Sequence, residues 1–257
     1  MRSPKTKSAS SPRFYAPDLN PSLGETTLSA EESHHLVRVM RLVAGDTVAV
    51  FDGRGLEFEG RVGRIDRNAT VVSLERPIAT PPAPAVATTL VQAVLKGDKM
   101  DGVVRDATMV GVSRVIPIVT ERTLVKVSSL ERAHARERWQ RVAVSSAKQC
   151  RRAALPAIDS PRHFLDWLKT PAEGRRMFLV EPSADNGVAL PLREALTGDP
   201  PAIACAVGPE GGWTHEEQET AAAAGCTLAS LGPMTLRADA VGLVALSLIH
   251  FALDSRR

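Results

Sequence analysis

Aromatic residues make up only 4% of this 257-residue chain, so its core must be packed mainly with the valine, alanine and leucine of its 44% hydrophobic content. Cysteine is scarce as well. Cys150, Cys205 and Cys226 form no CxxC pair and cannot all pair with one another, which excludes a disulfide framework and points to a reducing compartment. The longest apolar run, Ala240 to Leu253, is interrupted by Ser247 and His250 and is too short to span a bilayer. The first residues, MRSPKTKSASSPRF, carry charge but no apolar stretch, so they do not read as a secretory signal. Cytoplasm is the expected location.

Several familiar chemical signatures are also missing. The glycine loop at Gly208 has no following Lys-Ser/Thr, and no G-x-G-x-x-G opens a helix after a strand. No Ser or Cys occupies a nucleophile elbow, and no His/Cys cluster has zinc spacing. The adjacent His34 and His35 would point about a quarter turn apart on a helix, a poor arrangement for a shared metal. These absences argue against P-loop chemistry, dinucleotide redox chemistry, nucleophilic hydrolysis and metal catalysis. No metal is expected.

What is present is unevenly spread charge. The net charge is +3 and the sequence pI near 8.9. Arg2, Lys5, Lys7 and Arg13 crowd the first segment. Arg132, Arg136, Arg138, Arg141, Lys148, Arg151 and Arg152 crowd a later one, against only Glu131 and Glu137. Such clustering suits a polyanionic partner, and it equally suits a basic tail plus a solvated helix face.

Residues 1–11 read as a disordered basic tail rich in Ser, Lys and Pro. Residues 12–76 read as a compact module. It has a capping box at Ser29 to Glu32 that starts a helix through Arg38, then the strand-like runs DTVAVFD, LEFEGRVGRI and ATVVSLER of a small antiparallel barrel or sheet. Residues 77–85 hold four prolines within eight residues and read as a stiff linker. From 86 to 257, strand and helix patterns alternate, giving an α/β domain with a mostly parallel sheet. Met100, Val103, Val104, Ala107 and Val110 mark one helix face, and a basic helix is expected from about Leu130 to Arg151. Two glycine-proline turns, Gly208-Pro209-Glu210-Gly211-Gly212 and Leu231-Gly232-Pro233, end strand-like runs, with a capping box at Thr214 and Glu217 between them. Ligands of parallel sheets bind beyond the carboxyl ends of strands, so the two turns could wall one small-molecule pocket.

These residues resemble the bacterial 16S ribosomal RNA (uracil-N3)-methyltransferases, a family of the SPOUT methyltransferases. The resemblance is carried by Val207 to Gly212 and by Leu231-Gly232-Pro233 with Leu236-Arg237. It extends to Pro12-Arg13-Phe14-Tyr15, His34 to Arg41 and Gly45-Asp46, which match an amino-terminal PUA-like RNA-binding domain. QAVLKGDK from Gln92 to Lys99, and Gln149 with Arg152 and Pro156, match the catalytic domain. The likeness covers nearly the whole chain except the first eleven residues.

The resemblance implies a SPOUT-type parallel sheet with a deep carboxyl-terminal trefoil knot, and a homodimer. It implies S-adenosyl-L-methionine as cofactor and S-adenosyl-L-homocysteine as product. The cofactor would be held by Leu179, Val180, Glu181 and Pro182, by Gly208, Pro209, Glu210, Gly211 and Gly212, and by Leu231, Gly232, Pro233, Met234, Leu236 and Arg237. The implied reaction methylates N3 of a uridine in the decoding region of 16S rRNA, within the small ribosomal subunit. Arg237, Glu210 and Asp239 are the expected catalytic residues, with Arg237 stabilising the uracil anion. Arg13, Arg38, Arg41, Gln149 and Arg152 are the expected RNA contacts. The chain departs from the family pattern at Met234 (commonly Arg), at Ala238-Asp239 (commonly Thr-Glu) and at Lys148 (commonly Glu). Two other readings stay open: a SPOUT enzyme acting on another RNA position or atom, and an inactive RNA-binding or ribosome-assembly protein.

Overall fold

The computed structural model describes residues 11–66, 69–182 and 189–254. It divides into two compact units, Met1–Pro81 with Ala147–Leu155, and Pro82–Ser146 with Pro156–Arg257.

The first unit holds β1 (Arg13–Tyr15), β2 (Glu25–Leu28), α1 (Ala30–His34), β3 (Thr47–Phe51), β4 (Glu57–Ile65) and β5 (Thr70–Pro77). The strands order as β1-β3-β4-β5-β2. β1 runs parallel to β3 and the other pairs are antiparallel, so the sheet is mixed rather than wholly antiparallel. Phe14, Leu28, Leu36, Val48, Val50, Val62 and Val72 fill its core. In β4 a side chain at Gly60 would have its Cβ 2.3 Å from the Ser73 carbonyl oxygen, so glycine is required where the strands approach.

Two local expectations need correction. Ser29 caps α1 by accepting from the Glu32 N–H at 3.3 Å, but the Glu32 carboxylate does not return the bond. It accepts instead from the Tyr15 N–H at 3.3 Å and pairs with the Lys148 ammonium. A buried carboxylate gains more from a cation than from one backbone donor, so the capping box is half formed. Nor does α1 continue as an α-helix through Arg38. It widens into a π-helical turn at His35–Val39, and Arg41 follows in a left-handed conformation at φ 55.

The segment Ala147–Leu155 groups with the first unit, so the catalytic domain expected over 86–257 is not contiguous. Ala147 and Ala153 pack with Phe51, beside Tyr15 and Leu155. Polar bonds fix the same segment. Leu155 N–H donates to the Gly53 carbonyl at 2.8 Å, and the Arg13 guanidinium donates to the carbonyls of Ala147, Lys148 and Arg152. Those carbonyls lie at or just past the end of a helix, where the helix's own N–H ladder runs out of donors.

The second unit contains β6 (Ala87–Ala93), α2 (Lys99–Met109), β7 (Arg114–Val119), α3 (Val127–Arg132), α4 (Ala135–Cys150, its last turn in the first unit), β8 (Ala157–Ile158), β9 (Arg162–His163) and α5 (Phe164–Leu168). It continues with β10 (Arg175–Leu179), β11 (Leu190–Pro191), α6 (Leu192–Ala195), β12 (Ala202–Val207), α7 (His215–Ala223), β13 (Thr227–Ser230) and α8 (Ala238–Asp254). Among the described residues all pairings between its strands are parallel, in the order β11-β13-β10-β12-β6-β7-β8, with β9 also on β7.

Strand alternation explains the hydrophobic runs. Leu90, Met177 and Cys205 enter the apolar cluster on one face, while their successors Val91, Phe178 and Ala206 enter the cluster on the other. α2 buries Met100, Val103, Val104 and Ala107, the face read from its spacing. The expected basic helix is two helices, interrupted at His134 with φ 48. Part of its charge is used within the unit: Arg136 donates to the Ile158 carbonyl at 2.8 Å and Arg138 pairs with Asp101. α8 buries Gly242, Ala245, Leu246, Ile249, His250 and Leu253 and leaves Leu248 and Phe251 exposed. Among the described residues no helix is long and apolar enough to cross a membrane.

Candidate active site

The parallel sheet ends three neighbouring strands, β13, β10 and β12, in turns that converge on one cavity of about 450 Å³. That size suits a small-molecule ligand. The end of β10 supplies Leu179, Val180, Glu181 and Pro182. β12 supplies Val207 and the turn residues Gly208, Pro209, Glu210 and Gly212. The chain after β13 supplies Leu231, Met234, Thr235, Leu236 and Arg237, and α8 opens with Ala238, Asp239 and Val241.

Most residues expected to hold a cofactor therefore meet around one space. Gly211, Gly232 and Pro233 are expected there too but are not on its wall. The Gly211 carbonyl turns to Arg122, which donates to it at 2.8 Å, and Gly232 shapes its turn at φ 131. Lys99, Val207, Trp213, Thr235 and Val241 are wall residues that sequence reasoning did not single out for this role. Lys99 closes the QAVLKGDK run, the one signal that pointed towards it.

Trp213 ties two of the strand ends together. Its indole N–H donates to the Leu179 carbonyl at 2.9 Å, and its ring lies 4.2 Å from that of Phe178. A Cβ at Gly208 would stand 3.1 Å from the same indole, so a side chain there would have to push the indole back by a few tenths of an ångström. Gly212 has φ 66, donates its N–H to the Pro209 carbonyl at 2.9 Å, and would place a Cβ 2.8 Å from Glu181 Oε1. Gly212→Ala is therefore expected to cost about 1–2 kcal/mol in unfolding free energy from the left-handed backbone alone. It should also weaken ligand binding by displacing Glu181. Chemical unfolding alongside calorimetry checks both, and a variant of unchanged stability and affinity would contradict the account.

Two ion pairs frame the cavity. Lys99 Nζ lies 2.7 Å from Glu210 Oε1, which also accepts from the Lys96 N–H at 3.1 Å. Burial pushes the Glu210 carboxyl up, but the Lys99 hydrogen bond, two backbone N–H groups and the Lys99 charge outweigh it and hold it below the usual range. Arg237 grips Asp239 with two bonds, Nε to Oδ1 at 3.0 Å and Nη2 to Oδ2 at 2.7 Å. The Arg237 hydrogen bond is the largest influence on Asp239 and holds that carboxyl low too. Both carboxyl groups favour folding above their ordinary titration range, and that contribution disappears only as pH falls through their lowered values. Ligand affinity is accordingly expected to stay level between about pH 8 and 5 and to drop below about pH 4. A titration of affinity with an inflection near neutrality would exclude both groups as its cause.

The residues expected to touch RNA are divided. Arg38, Arg41 and Gln149 are exposed, and Arg152 is half-buried with its pKa lowered by desolvation. Arg13 is the correction. Its side chain is 6% exposed and forms an ion pair with the equally buried Glu57 at 2.8 Å, its donors turned inward to structural carbonyls. Among the described residues no group of three or more His, Cys, Asp or Glu could hold a metal ion.

A parallel α/β unit with a glycine-walled cavity at its strand ends is a small-molecule-binding architecture, here on a chain that also carries a small mixed β-sheet unit. Comparisons with known proteins narrow the class. The family model described as an RNA methyltransferase domain matches residues 81–250, and the one described as an RNA methyltransferase PUA domain matches residues 28–75. The chain is similar to ribosomal RNA small subunit methyltransferase E of Synechocystis sp., with 33% identity across 89% of this chain and 74% of that protein. It is also similar to the protein of that name from Bacillus subtilis, with 24% identity across 90% and 91%. The crystal structure of a ribosomal RNA small subunit methyltransferase E from Neisseria gonorrhoeae bound to S-adenosyl methionine superposes with a TM-score of 0.83. That match has 26% identity and covers 94% of this chain and 97% of the other. The chain belongs to the RNA methyltransferase family, in the group of the small-subunit methyltransferases E.

Proposed function

We propose that this protein transfers a methyl group from S-adenosylmethionine to N3 of a uridine in the decoding region of 16S ribosomal RNA, giving 3-methyluridine. The observation that carries the reading is the convergence of three turns and two ion pairs on one cavity, in a member of the RNA methyltransferase family. Names of relatives support a ribosomal RNA substrate, and the ligand of the Neisseria protein supports the cofactor. The cavity fits that group. Glu181 and Pro182, Gly208, Pro209 and Glu210, and Leu231, Met234, Thr235 and Leu236 bring main chain to the wall that can meet polar edges, while Val207, Trp213 and Val241 give apolar walls. Bound there, the cofactor supplies an electrophilic methyl group.

The chain must do the rest. N3 of uracil carries a proton at neutral pH and has to lose it before or during attack. Glu210 and Asp239 are held ionised and are therefore weak bases. Stabilisation of the developing uracil anion by a cation thus carries more of the barrier than proton removal by a carboxylate. Arg237 takes that role, oriented by Asp239, and Lys99 holds Glu210 on the opposite pair. Met234, 75% exposed, stands on the rim and brings no charge to it.

Arg38, Arg41, Gln149 and Arg152 grip the RNA. The carboxyl-terminal chain forms the knot. Support for it comes from strand order, since β10 lies between β13 and β12, yet α8, following β13, packs on α2, β6 and β12. The exposed Phe251 and Leu248 of α8 fit a homodimer interface.

Incubation with small ribosomal subunits lacking the modification, compared with free rRNA, tests the proposal. An N3-methyl blocks Watson–Crick pairing, so primer extension should stop at one uridine. A stop elsewhere, or ribose methylation, would favour a methyltransferase of different target. No cofactor binding at millimolar concentration would favour the inactive RNA-binding protein.

A further inference from the structure

Among the described residues five ionisable side chains line the cavity: Lys99, Glu181, Glu210, Arg237 and Asp239. Four of them neutralise one another, Lys99 with Glu210 at 2.7 Å and Arg237 with Asp239 at 2.7 Å. Glu181 is left over. Its half-buried carboxylate has neither a hydrogen bond nor an ion pair among the described residues. Its Oε1 stands beside the Gly212 turn, in the space a side chain at 212 would need, since a Cβ there would come within 2.8 Å of it. Among the described residues the cavity therefore carries one uncompensated negative charge, beside the turn that follows β12. A carboxylate drawn partly out of water favours any ligand that brings the missing positive charge.

We propose that Glu181 makes the site selective for cationic ligands, favouring the sulfonium form of the cofactor over the neutral thioether left after transfer. This rests on the cofactor reading above. The two forms carry the same zwitterionic amino-acid end and the same nucleoside. They differ by a methyl group and the sulfonium charge, and electrostatics tells them apart at that charge alone. Glu181 would thus hold the methyl donor in place and loosen its grip when transfer removes the charge, so that product leaves faster than substrate. Roles in binding hydroxyls of the ribose would not have this consequence, since both forms share them.

Calorimetry with three ligands tests the assignment: S-adenosylmethionine, S-adenosylhomocysteine, and sinefungin, which carries an amine in place of the methylsulfonium. The protein should bind the two cations about tenfold more tightly than the thioether, about 1.4 kcal/mol of discrimination. Glu181→Gln keeps the side-chain size and should remove most of that preference while leaving the thioether affinity within about twofold. Raising salt from about 0.05 to 0.5 M should shrink the preference of the unaltered protein, a readout that needs no variant. Equal weakening of all three ligands by Glu181→Gln would overturn the proposal and make Glu181 a hydroxyl acceptor. A preference indifferent to both salt and substitution would overturn it as well. Failure of all three ligands to bind the unaltered protein would remove the cofactor reading and this assignment with it.

Discussion

Replacing Arg13 with alanine is expected to destabilise the first unit by about 3–5 kcal/mol, a large share of a typical domain's stability. Removal of its guanidinium leaves the Glu57 carboxylate, 6% exposed, without its cation, and strips donors from the carbonyls of Ala147, Lys148 and Arg152. The stacking of Arg13 over the Phe51 ring, at 4.7 Å, is lost at the same time. Denaturant unfolding of the full protein reads the effect as a lowered midpoint. Arg38→Ala makes the contrast, because an exposed arginine should change stability by less than about 0.5 kcal/mol while lowering RNA affinity and its salt dependence. A double change of Arg13 to Met and Glu57 to Leu should recover part of the loss, since it leaves no buried charge unpaired. Full stability in Arg13→Ala, with RNA binding impaired, would restore Arg13 to the RNA surface.

Arg13 also illustrates what a sequence can and cannot say. Its neighbourhood was recognisable, but nothing local distinguishes an arginine that faces phosphate from one that caps a helix end well over a hundred residues away. The same blindness to distance hid Ala147–Leu155 inside the catalytic stretch, because a segment's partner is decided by packing, here against Phe51 and Gly53. Glu32 departs from its local pattern for a related reason. Its spacing from Ser29 fits a capping box, yet the carboxylate goes to Lys148, a residue invisible to a local pattern.

By contrast, the glycine turns were legible. The sites of Gly208 and Gly212 favour glycine, one because an indole lies close against it and the other because its φ is positive, and such preferences leave glycine in the sequence itself. Short unbroken apolar runs mark the strands of the parallel sheet for an equally local reason, burial on both faces. Lys99 and Trp213 fell between these cases. Each stands at the edge of a readable motif, but its place on the cavity wall follows from how three strand ends converge.

Arg237→Ala should lower turnover by about 10²- to 10³-fold while changing cofactor affinity by less than about threefold. The guanidinium is 77% exposed, Asp239 engages only Nε and Nη2, and Nη1 makes no hydrogen bond among the described residues. A group so placed contributes little to holding a ligand in the ground state, and can still meet an anion that develops on the arriving base. Asp239→Asn keeps an acceptor beside Arg237 but loses the charge that steadies it, so an intermediate loss of about tenfold is expected. Single-turnover rates with saturating cofactor separate these effects from binding. With both nearby carboxyl groups held below their usual range, no acidic limb from them should appear above about pH 5. Turnover should instead climb with pH as the N3 proton becomes easier to remove, and Arg237→Ala should steepen that dependence, because an unstabilised anion relies more on solvent to take its proton. If turnover and cofactor affinity fell together in Arg237→Ala, the guanidinium would be a cofactor ligand, and Lys99, on the other ion pair, would become the cation to test for the same role.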